Sequence, residues 1–96
     1  MSLSALVLHK NDNVATAVRP LENGGKVAVE IEDGVVDIEL LQPVPFGHKF
    51  ALRDIRPGER IIKYGETIGQ ATEGIRRGGH VHLHNVEGLR GRGDRP

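Results

Sequence analysis

Apolar and polar residues along this chain recur at intervals that favour strands and tight turns over helices. Val27 to Ile31 alternates apolar and other residues, Val35 to Leu41 alternates again, and Asp33-Gly34 lies between them. A period of two sends successive side chains to opposite faces of a strand, and Asp-Gly is a preferred hairpin turn. The pattern therefore predicts a β-hairpin. Leu3 to Leu8 reads as an earlier strand. Between the two, Asn11 or Asp12 suits an N-cap, Val14, Ala15, Ala17 and Val18 would follow on one helical segment, and Pro20 would stop it. One short helix near residues 12–19 is expected. Beyond Leu41, prolines and glycines from Pro43 to Gly79 divide the chain into segments too short for helices.

A second interval runs through the whole chain: an aliphatic residue, a glycine three positions later and an apolar residue three after that. It occurs as Leu21/Gly24/Val27, Val44/Gly47/Phe50, Ile55/Gly58/Ile61 and Ile75/Gly78/Val81. The segments IRPGERIIK and IRRGGHVHL, which hold the last two, align without a gap. Each unit would anchor an aliphatic side chain, turn at a glycine where positive φ costs little, and send a strand back across the core. A folded-over β domain follows, with residues 1–87 as the domain and the glycine- and arginine-rich 88–96 as tail or linker.

Composition narrows the chemistry. The 96 residues suit one domain of modest core, and with only Phe46, Phe50 and Tyr64 as aromatics that core must be aliphatic. There is no cysteine, so disulfides and thiolate metal sites are excluded, in keeping with a cytoplasmic location. No apolar stretch is long enough to span a membrane and the start lacks the pattern of a signal peptide. Thirteen basic and thirteen acidic residues cancel, which argues against nucleic acid as a partner. The local exception is Arg76 to Arg95, where Arg76, Arg77, Arg90, Arg92 and Arg95 face only Glu87 and Asp94. That half could hold a small carboxylate. The tripeptide Arg92-Gly93-Asp94 is a chance match to an adhesion motif.

The most informative segment chemically is GGHVHLHN. His80, His82 and His84 stand at every second position, so a strand here would put three imidazoles on one face and Val81 and Leu83 beneath. Histidine titrates near neutral pH and is the commonest metal ligand, so the row suggests a metal site or acid/base work, against the plainer reading of a solvated strand face. His48 and Lys49 lie in the Gly47 turn, from which a short loop could carry them to the end of the histidine strand. Lys63-Tyr64 precedes Gly65, and an ammonium beside a phenol can bind a carboxylate. Solvation of both lysines and rim packing of Tyr64 are the simpler readings. Asn85 could orient His84 or cap the strand's end. Asp54 and Glu59 read as turn residues.

With these segments in place, the chain resembles a known family. GHKFALRDI, IIKYGETIGQAT and GGHVHLHN, together with the opening HKNDNVATAV, are similar to the SAF-type β-clip domain of altronate and galactarate dehydratases and to the small subunit of sulfolactate sulfo-lyase. The resemblance covers nearly the whole chain. It implies a mainly β, SAF-like β-clip fold and a role in eliminating water from a sugar acid, or sulfite from a sulfonated hydroxy acid. Such a reaction needs a base for the proton α to the carboxylate, an electrophile for the developing enediolate and an acid for the leaving group. A divalent cation, Fe2+ or Mn2+, meets the second need. The resulting expectations are His82 and His84 as metal ligands, His48, His80 and His84 as catalytic groups, and Lys49, Lys63, Tyr64 and Asn85 as substrate contacts. So small a β domain promises no deep pocket and no complete set of groups. The expected partner is a large catalytic dehydratase subunit or domain, with a homo-oligomer as a further option. A binding module without chemistry and a stand-alone metal-binding protein are the competing readings.

Overall fold

The structure is a computed structural model that describes residues 4–22, 24–31 and 34–88. Among the described residues every regular element is a strand: β1 (Ala5–Leu6), β2 (Val14–Ala17), β3 (Lys26–Ile31), β4 (Gly34–Glu39), β5 (Lys49–Ala51), β6 (Arg60–Lys63), β7 (Glu66–Ala71), β8 (His80–Val81) and β9 (Val86–Glu87). They form a four-stranded sheet in the order β1-β2-β5-β8, the β3-β4 hairpin and a three-stranded sheet in the order β6-β7-β9. All pairings are antiparallel. The mainly β reading holds, while the short helix does not.

Its replacement by β2 has a clear packing cause. Val14 joins one apolar cluster, with Ala51, Ile55, Ile61, Ala71, Ile75 and Val81, whereas Ala15 and Ala17 join the other, around Phe50, Val29, Ile38, Leu40 and Val44. A surface helix buries one stripe; this segment is covered on both faces, and an extended chain with small side chains is what fits between two cores. Asn13, next to the expected caps Asn11 and Asp12, instead leads into the strand. Its side-chain amide donates to the Arg60 carbonyl at 2.8 Å and its Oδ1 accepts from the Ile62 amide at 2.8 Å, tying β2 to β6. β5 repeats the arrangement, with Phe50 in one cluster and Ala51 in the other.

The four aliphatic/glycine units fold alike. Gly24, Gly47, Gly58 and Gly78 all have φ between 81° and 85°. The leading aliphatics pair across isolated bridges, Leu21 with Val44 and Ile55 with Ile75. Each turn glycine also donates its amide to the carbonyl of a buried residue, and that residue's amide returns a bond to the residue after the glycine. Gly47 uses Ala17, Gly78 uses Ala51, Gly58 uses Ala71 and Gly24 uses Leu40. The backbone groups that tight turns would otherwise leave unpaired are thereby satisfied.

The hairpin of β3 and β4 forms with Val27 opposite Ile38 and Val29 opposite Val36 on the buried face. Ile31 pairs with Gly34, so Gly34 belongs to the strand rather than to an Asp33-Gly34 turn; Asp33 lies outside the described residues, as do the tail from 89 onward and its Arg92-Gly93-Asp94. β6 and β7 meet around Tyr64-Gly65, whose φ values of 56° and 80° match a two-residue hairpin turn.

The turn glycines differ in what a side chain would meet. At Gly58 a Cβ finds nothing within 4 Å, whereas at Gly78 it runs into the Glu39 carbonyl oxygen. Gly58→Ala is expected to lose about 1–2 kcal/mol, the left-handed backbone penalty alone. Gly78→Ala should lose clearly more, because the backbone of β4 must also move. Chemical denaturation of the two variants checks the order.

Candidate functional site

Two turns deliver the histidines. Positive φ at Gly47 reverses the chain so that His48 precedes β5, and β8 pairs beside it with His80 opposite Phe50 and Val81 opposite Lys49. The strand expected to run through His84 ends at Val81. Asn85 stops it: its Oδ1 accepts from the His82 amide at 2.9 Å, its amide donates to the His80 carbonyl at 2.8 Å, and its own backbone N–H closes on the His82 carbonyl at 3.1 Å. Residues 82–85 form a turn, so Val81 is fully buried while Leu83 is 83% exposed rather than packed beneath the row. Asn85 is buried with both ends of its amide engaged, a turn-closing role that leaves little of it for substrate.

The imidazoles nonetheless converge. His48 Nδ1 and His80 Nε2 are 2.8 Å apart in nearly parallel rings, an edge-to-edge hydrogen bond. His82 stacks over His48 with ring centroids 3.6 Å apart. Among the described residues, His48, His80 and His82 form the one group whose potential ligand atoms all lie within 4.8 Å of one another. His84 stands aside, exposed, its ring tilted 35° to His80 at 5.1 Å. The sequence reading paired His82 with His84; the turn at Asn85 pairs His82 with His48 instead.

Two of the three rings are held below the ordinary imidazole range. Burial, then the neighbouring His84, His48, His82 and Lys49, push His80 down to about 4. Burial and the adjoining His48, Lys49 and His84 lower His82 as well. Neutral imidazole is the ligating form. A donor set of three imidazoles suits a borderline transition metal, and His82 Nδ1 is buried without a hydrogen-bond partner, so the residues present fit such an ion.

The lysines lie on the neighbouring face. Lys49 is opposite Thr16 in the β2-β5 register, and burial followed by the charge of Lys63 lowers its pKa. Lys63 Nζ sits 4.9 Å above the Tyr64 ring, so the phenol serves as a cation–π platform within the turn. On the other side of His80 a cleft of about 390 Å³ is lined by Gln42, Glu73, Arg76, His84 and Asn85 among others. Gln42 Oε1 accepts from the His80 amide at 2.8 Å. Sequence reasoning missed Gln42, which carries no local signal, and saw Arg76 only as part of a basic run.

Residues 3–89 match the family described as the altronate/galactarate dehydratase SAF domain. Altronate dehydratase of Escherichia coli (strain K12) is 46% identical over 79 residues, covering 82% of this chain and 15% of that protein. Galactarate dehydratase (L-threo-forming) of the same organism is 43% identical over 74 residues, covering 77% and 13%. The (2R)-sulfolactate sulfo-lyase subunit alpha of Chromohalobacter salexigens is 36% identical over 90 residues, covering 91% of this chain and 96% of that subunit. The chain thus spans 15% and 16% of two altronate dehydratases but nearly all of the sulfo-lyase subunit.

Two outcomes follow from the geometry. Asn85→Ala leaves the His82 amide and the His80 carbonyl unpaired in a buried turn, so stability should fall by about 2–3 kcal/mol in denaturant titrations. The His80 pKa is depressed in the folded protein, so below the ordinary imidazole value of 6.5 the unfolded chain binds the proton more readily. Stability should therefore decline as pH falls from 6.5 to about 4, and His80→Gln should flatten that decline in denaturation midpoints measured across the range.

Proposed function

The chain belongs to the altronate/galactarate dehydratase SAF-domain family, and we propose that it is the small subunit or N-terminal domain of a sugar-acid lyase whose active site it completes. The observation that supports this reading is the group of His48, His80 and His82, three imidazoles brought together by two turns. Alone they provide neither an enclosed site nor the full set of groups that β-elimination needs. A larger catalytic body as partner supplies both.

Within that assembly His48, His80 and His82 would hold a divalent cation, Fe2+ or Mn2+, which when bound offers positive charge to the developing enediolate. His84, exposed beside His80 at the cleft, is the group placed to carry a proton to or from the substrate. Lys49 and Lys63 bind the carboxylate next to the reacting carbon. An anion there relieves the repulsion between the two ammonium groups and compensates the burial of Lys49. Tyr64 holds the Lys63 ammonium over its ring. Asn85 acts through the turn that sets His82. No helix among the described residues is long and apolar enough to cross a membrane, and a cytoplasmic setting suits the proposed metabolic role.

A second reading, the small subunit of a sulfolactate sulfo-lyase, is favoured by the length match with that relative. Assays of the complex with the larger lyase chain on altronate, galactarate and (2R)-sulfolactate separate the two. In the complex, His82→Ala is expected to lower turnover by at least ~10²-fold, the scale of a positioned catalytic group. Association with the larger chain should persist and the bound metal, read by elemental analysis, should fall. Near-normal turnover in both His48→Ala and His82→Ala at saturating metal would reduce the chain to a binding module.

A further inference from the structure

Cationic groups lie on both sides of the histidines. Lys49, opposite Val81 in the β5-β8 register and so on the other face from His80, feels the charge of Lys63, and its own charge reaches His80 and His82. On the other side Arg76 lines the cleft that His80 and His84 border. Its guanidinium is exposed and has no hydrogen-bond or ion-pair partner among the described residues, although Glu73 lines the same cleft. Two other arginines are already engaged: Arg53 pairs with Glu59 at 2.7 Å, and Arg77 donates to the Asp37 carbonyl at 3.1 Å.

The rest of the lining suits a polyol. Gln42 accepts from the His80 amide through Oε1, which leaves its NH2 group as a donor. Glu73 offers acceptors for hydroxyl hydrogens. The volume of about 390 Å³ falls in the range of small-ligand sites.

Building on the function proposed above, we propose that this cleft receives the far end of the substrate and that Arg76 pairs with a second carboxylate there, so that the chain favours a dicarboxylic over a monocarboxylic polyhydroxy acid. One carboxylate lies with the lysine pair, the reacting carbons lie at the histidines and the distal carboxylate meets Arg76. A guanidinium and a carboxylate match in a two-point hydrogen-bonded geometry that a terminal hydroxymethyl group cannot reproduce. The discrimination comes from a solvent-accessible pair, so it is modest.

Backbone-amide NMR titrations of the chain with galactarate, galactonate and galactitol test this directly, since the three share a carbon skeleton and carry two, one and no carboxylates. Galactarate should shift Gln42, Arg76 and His84 and bind about tenfold more tightly than galactonate, a difference worth about 1.4 kcal/mol. Galactitol should leave them unmoved. Arg76→Ala should bring galactarate down to the galactonate value and leave galactonate unchanged, while Arg76→Lys, which keeps charge without the fork, should recover only part of the difference. Equal affinities for the two acids in the native chain, or equal weakening of both by Arg76→Ala, overturns the proposal. If both acids then still shift His80, His82 and Lys49, the proposed lyase role stands without a distal subsite. If neither acid shifts any of these residues and turnover of the complex ignores His82→Ala, both fall.

Discussion

The fold depends on a two-way backbone hydrogen-bond exchange made four times, between a left-handed glycine turn and a buried residue far away in sequence. A chain with so few aromatics cannot rely on large side chains to define its interior. It relies on close approach of backbone, and close approach needs partners without bulk. Three of the four partners are alanines, Ala17, Ala51 and Ala71, each almost fully buried. The small residues and the glycines are two halves of one device, and the strands are short because each need only span from one exchange to the next.

Much of this was legible in the sequence. The interval linking an aliphatic residue, a glycine and a second apolar residue marked each turn, because few residues other than glycine accept φ near +80° and the flanking aliphatics must enter a core. The β3-β4 alternation was equally plain. What the sequence concealed was anything decided by a second layer of structure. Val14 to Ala17 has helical spacing and a plausible cap, and only the presence of apolar clusters on both sides makes it a strand. The same holds for His82 to Asn85, where strand alternation continues in the sequence but a buried amide three residues on bends the backbone away.

That bend makes a site from a row. Had β8 continued, the imidazoles would have stood at strand spacing with Leu83 buried beneath them. Turning at Asn85 folds His82 back over His48, and the partial burial that follows keeps His80 and His82 unprotonated at neutral pH. The amide thus sets where His82 lies. The family relationship gives that end of the domain its context, since the relatives carry the same domain either within a much longer protein or as a subunit of comparable length.

The long-range hydrogen-bond exchanges also govern how the chain reaches its structure. Gly47 closes on Ala17 and Gly78 on Ala51, so β2 and β5 each acquire an essential partner only after a later segment exists. Pairing of this kind pays loop-closure entropy before any local reward, which slows folding of non-local β topologies. During synthesis, the edge of β5 stays open until the strand bearing His80 and Val81 has left the ribosome. The last strand to close the four-stranded sheet is the one that brings in the histidines, so the site and the completed domain arise in a single step.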